Sequence, residues 1–163
     1  MAELLDGWSE FNVAMLGATA ALAGLLIVAM SVNIGEILKT PSLPGRAAAA
    51  LAALMAAIIV TSLGLVPVVP VIVYGLGALL AAVLAAVFEY RATRLIVAEG
   101  REHGSPIAKA AAGWLPVALF VAGAVIVLVG APGAGLGFLA AACILAVASA
   151  ILHAWIVLVE VLR

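Results

Sequence analysis

His153, Glu36, Glu89 and Glu160 are titratable side chains lying inside or at the edge of long apolar segments. His153 shares a face with Ala142, Ala146, Ser149, Ile156 and Glu160, at alternating four- and three-residue steps. That is the spacing of one side of a helix. Helical rise puts His153 about 25 Å from the turn that precedes its segment. Glu36 and Glu89 fall at a similar depth on their own segments. Titratable groups gathered at one level can exchange protons, because histidine changes charge between about pH 5 and 8. The same residues also occur wherever an apolar helix meets the headgroup layer.

Two further sets carry possible chemistry. Arg91, Arg94 and Arg101 form a basic column at helical spacing. Such a column either snorkels to lipid headgroups or presents a docking surface for anionic lipid or a partner. Asn12, Thr19 and Asn33, with Leu26, recur at seven-residue intervals. A polar side chain facing lipid is costly, so this column should face protein or water. It either bonds neighbouring helices, at about 0.6–2 kcal/mol each, or lines a path for a permeant.

Other chemistry has no carrier. The sequence contains no HExxH zinc helix and no GxSxG nucleophile elbow. Its histidines are His103, in a polar loop, and His153, so one chain cannot supply an intramembrane bis-histidine haem site. The one cysteine, Cys143, excludes an internal disulfide and argues against a metal or redox site. No acid or base sits at mid-depth to relay protons across an apolar core. The expectation is a non-enzymatic protein without a cofactor. A net charge of −1, with only seven Lys and Arg, also argues against a nucleic-acid partner.

The elements that must position these residues follow from composition. Apolar residues make up 68% of 163, charged residues 9%, and the mean hydropathy is +1.40. A soluble domain has roughly a quarter of its residues charged. This chain cannot cover a globular surface with polar groups, so an integral membrane protein is expected. The N-terminus, MAELLDGWSE, has three acids and no base, unlike the n-region of a cleaved signal. The first apolar segment should therefore remain as a membrane helix.

Counting the crossings requires length. Ala47 to Phe88 is an uncharged run of 42 residues. As helix it would extend about 63 Å, twice a hydrocarbon core of about 30 Å. Pro67 and Pro70 fall near its middle, where proline ends one helix and starts the next. Ala110 to Leu152 is a second such run, broken by GAPGAG at 130–135. With the segment from Phe11 to Ile34, this predicts five spans over about 10–37, 46–66, 70–98, 108–129 and 135–161. The fold class expected is all-α, a polytopic membrane helical bundle forming a single domain over 1–163.

Charge supports five spans. All seven basic residues (Lys39, Arg46, Arg91, Arg94, Arg101, Lys109 and Arg163) then fall on one side. The positive-inside bias places the N-terminus outside and the C-terminus in the cytoplasm, in a bacterial cytoplasmic membrane. Trp8 and Tyr74 are expected at the outer boundary, and Tyr90, Trp114 and Trp155 toward the inner one. The hairpins 46–98 and 108–161 resemble each other. GLGALLAA at 75–82 overlays GLGFLAAA at 135–142, and Arg46 and Lys109 open the two units. Either this is a parallel repeat or runs of Ala, Leu and Gly align by chance.

Span 1 carries the strongest pattern. Gly17, Ala21, Gly24, Val28, Ser31 and Gly35 follow 4-3-4-3-4 spacing, a seam of small residues. Membrane helices associate where small residues let backbones approach. With the Asn12–Thr19–Asn33 column nearly opposite, span 1 has two packing faces, one for its own bundle and one for another chain. The reading favoured is an accessory or assembly subunit of a membrane complex, with lipids and other membrane chains or a second copy as partners. The alternative is a homo-oligomeric channel or small transporter lined by the polar column.

Overall fold

The computed structural model describes residues 2–39, 41–99 and 106–161, with side chains described for 4–39, 41–98 and 110–155. Those residues are helical, without a strand. The order is α1 (Ala2–Asp6), α2 (Ser9–Val32), α3 (Ile34–Ile37), α4 (Ser42–Gly64), α5 (Val71–Glu99), α6 (Pro106–Leu128) and α7 (Pro132–Val161). Five of them, α2 and α4 to α7, are long and apolar enough to cross a membrane.

Helix starts follow the prolines. The first four backbone N–H groups of a helix have no intrahelical acceptor, so a first-turn proline loses little. Pro44, Pro106 and Pro132 all sit in first turns, and α4 and α7 begin some residues earlier than their apolar runs alone predict. The α4–α5 turn lies between Pro67 and Pro70 and holds exposed Val68 at φ 56°, a left-handed backbone that a branched residue rarely adopts. The α6–α7 turn uses glycine. Gly130 at φ 95° lets its N–H donate to Val127 O (3.2 Å) while Ala131 N–H donates to Ile126 O (3.1 Å), a Schellman ending. Span 1, predicted as one helix over 10–37, is interrupted at Asn33. There the side-chain amide donates to Ala29 O at 2.9 Å and the backbone turns into α3.

Helices α4, α5, α6 and α7 form a closed ring, each packed on the next and α7 back on α4, while α2 lies outside against α4 and α7. Small side chains form the ring's contacts. On α4, Arg46, Ala50, Ala53, Ala57, Val60 and Gly64 are buried at four- and three-residue steps; on α5, Ala78, Ala82, Ala85, Glu89, Ala92 and Ile96 are buried likewise. The tightest approach joins α6 to α7. A β-carbon added at Gly135 would lie 2.8 Å from Gly123 O and 2.9 Å from Val127 N, so only glycine permits that contact. Tyr74, in the first turn of α5 at the turn between α4 and α5, is buried in the ring core with Phe120 and Leu139. It begins the buried face of α5.

The polar connections lie together. Lys39, Arg46, Arg91 and Arg94 fall at one end of the bundle, where α2 ends, α4 begins and α5 ends. We call this the basic end, and the opposite one the turn end. At the turn end α1 folds over the ring, with Leu5 buried in the core and Trp8 edge-on to Phe11 at 5.6 Å.

Candidate functional site

Two regions concentrate the residues singled out by sequence. The first is a buried polar cluster at the basic end, to which all four ring helices contribute. From α5, Glu89 is 6% exposed and accepts a hydrogen bond from the Thr93 hydroxyl one turn on. From α6, Trp114 Nε1–H donates to Thr93 Oγ1 at 3.0 Å. Gly113 leaves the space that the Glu89 carboxylate fills, since a β-carbon there would overlap it. From α7, His153 Nδ1–H donates to Ser149 O at 2.7 Å, with Ser149 Oγ 3.4 Å away. That bond leaves Nε2 as the acceptor nitrogen of a neutral ring.

Arg46 of α4 completes the cluster. It is 4% exposed, its Nε has no hydrogen-bond partner, and its charge acts on both Glu89 and His153. Sequence reasoning counted Arg46 among the basic residues of one side and as the residue that opens the 46–98 hairpin, without placing it in such a cluster. The signal that could have found it is its register, because it lies one or two turns from Ala50 and Ala53 on the small-residue face of α4. Thr93 and Gly113 were missed as well, and only the side-by-side placement of α5 and α6 gives them a role. An arginine, a carboxylate and an imidazole buried together can bind a polar group or exchange protons at that level. Toward the turn end the core becomes apolar, with Tyr74, Phe120, Val127 and Leu139.

Glu36 does not join them. It is exposed on α3 and paired with Lys39 at 2.7 Å. The side chains of Glu160 and Arg101 lie outside the described residues. Arg91 and Arg94 are exposed on α5. Among the described residues, no three His, Cys, Asp or Glu side chains come together as a metal site.

The second region is α2, whose two faces have opposite fates. The polar column turns inward: Asn12 and Thr19 are buried, Leu26 is buried with Ala23 against Ala50, Leu54 and Ala150, and Asn33 is half-buried. Thr19 is 0% exposed, and its hydroxyl donates to Met15 O of its own helix at 2.6 Å. Asn12 packs where Gly64 leaves room, its Nδ2 without a hydrogen-bond partner. The small-residue seam turns outward. Gly17, Ala21, Gly24, Val28, Ser31 and Gly35 are all exposed. Among the described residues, a β-carbon at Gly17, Gly24 or Gly35 would meet nothing within 4 Å beyond the backbone of its own helix. Only 17% of the apolar window of α2 is buried, against 56% for α4. No family model matches the chain, nor does any curated protein or solved structure, so the reading rests on this geometry alone.

Proposed function

We propose that the chain is a non-enzymatic subunit of a membrane complex that associates with another transmembrane helix through the outward seam of α2. The observation that carries this is the exposure of all six seam residues on a helix whose polar face is already occupied. Glycine inside a helix costs about 1 kcal/mol relative to alanine. Three of them on one face, with no such contact among the described residues, lower stability unless a partner backbone approaches there. Ser31, the polar member, bonds back to Ile27 O at 2.8 Å and needs no polar group from a partner.

The conduit reading has less support. Thr19 is enclosed and bonded within its own helix, and Asn33 bonds to Ala29 O, so neither is poised to exchange ligands with a permeant. The proposed setting is a bacterial cytoplasmic membrane with the basic end in the cytoplasm, in keeping with the positive-inside bias.

Gly24→Leu tests the seam. Affinity purification in mild detergent should lose the associated chain, whether another protein or a second copy, while the monomer keeps its helical signal and melting point. Unaltered association would leave the seam facing lipid. Orientation is tested by labelling with a membrane-impermeant maleimide in a Cys143→Ser background. Lys39→Cys should react from the cytoplasmic side and Gly133→Cys from the opposite one.

A further inference from the structure

Between α4 and α5, on the outer side of the ring, runs an apolar groove of about 380 Å³. Its hollow comes from small residues on both helices, Ala48, Ala52 and Ala56 on α4 and Ala81 on α5, while Met55, Leu84 and Phe88 form its rims. Beyond the groove the two helices come together, Leu95 packing on Gly45 toward the basic end and Leu63 on Gly77 toward the turn end. Ala48 to Ile59 is eleven helical steps, so the groove is about 16 Å long, close to half of a hydrocarbon core of about 30 Å. That is the depth reached by the acyl chains of one leaflet.

Arg91 stands at the basic end of this groove. It follows Leu84 and Phe88 at four- and three-residue steps on the same face of α5, and it is exposed, as is Arg94. Hydrocarbon gains little by leaving other lipid tails for an apolar groove. Selection must therefore come from the headgroup, and an exposed guanidinium at that level favours a negative one. We propose that the groove is a binding site for one anionic phospholipid from the leaflet at the basic end, its acyl chain between α4 and α5 and its phosphate on Arg91. The site depends on the membrane-spanning reading and not on the partner assigned to α2.

The test uses the full chain in phosphatidylcholine vesicles containing brominated-chain phosphatidylglycerol or brominated-chain phosphatidylcholine. Phe88→Trp places a reporter on the rim, and the quenching of Trp8, Trp114 and Trp155 in the unsubstituted chain is subtracted. The brominated anionic lipid should quench the reporter at a several-fold lower mole fraction than the zwitterionic one. Arg91→Gln should reduce that preference about five-fold, the ratio expected for roughly 1 kcal/mol per surface cation, and Arg91→Lys should retain most of it. Ala52→Phe, which fills the hollow, should abolish the preference. Equal quenching by both lipids, or a preference that survives either Arg91→Gln or Ala52→Phe, would overturn the proposal. So would a reporter that neither lipid quenches, which would assign the groove to a protein partner.

Discussion

Helices α2 and α5 carry seams of small residues at the same alternating spacing and do opposite things with them. On α5 the seam Ala78–Ala82–Ala85–Glu89–Ala92 is buried among ring helices, and it holds the carboxylate at the centre of the polar cluster. On α2 the seam Gly17–Ala21–Gly24–Val28–Ser31 is exposed, and its glycines meet no other helix among the described residues. Spacing thus identifies a face over which backbones can approach; it does not say whether the approaching backbone belongs to the same chain. In the ring the partner is internal and the small residues serve folding. On α2 the partner we propose is external, and the same residue types would then serve association.

The comparison breaks most sharply at its glycines. Gly135→Leu forces a branched side chain into the backbone of α6, and overpacking of this kind costs about 3 kcal/mol. The denaturation midpoint of the monomer in mixed micelles should fall accordingly, or the chain should fail to fold. A midpoint unchanged by Gly135→Leu would mean that α6 and α7 are not in backbone contact.

The cluster gives the next largest effect. Arg46→Met removes the buried cation whose charge acts on Glu89 while keeping volume, and leaving a buried polar group less well satisfied costs about 2 kcal/mol. The double variant with Glu89→Gln should recover part of that loss, because neither member is then left charged alone. Strictly additive losses would show that the two do not interact. Thr19→Val should cost less, about 0.6 kcal/mol, since the lost bond is local to α2. A loss several times larger would give Thr19 a partner across helices.

Gly24→Leu should change the monomer least, by no more than about 0.5 kcal/mol, while removing association. Comparable destabilisation by Gly24→Leu and Gly135→Leu in the isolated monomer would erase the distinction between the two seams.

Much of this was legible beforehand, for reasons that differ from element to element. Uncharged runs of 42 and 43 residues cannot cross a membrane once, so the two hairpins followed from length. Their turns were visible because proline and glycine act on the local backbone. That Tyr74 packs inside the ring was not legible, because no local pattern reveals which neighbouring helices will cover a residue. Glu89 and His153 were picked out as titratable groups at one depth. Glu36 was grouped with them on depth alone and in fact lies on the exposed side of α3.

By itself the sequence determined the five apolar helices, the order of turns between them, the gathering of cations at one end and the two distinct faces of α2. These depend on chain length, helical period and local backbone chemistry, all of which act within a single segment. Only the tertiary structure decided that α4 to α7 close into a ring with α2 outside, that the polar column of α2 turns inward and its glycines outward, and that Arg46 joins Glu89 and His153 instead of the headgroups. Those outcomes depend on which helix lies beside which. That choice is made by the summed fit of many small side chains across segments distant in sequence, and no single segment carries it.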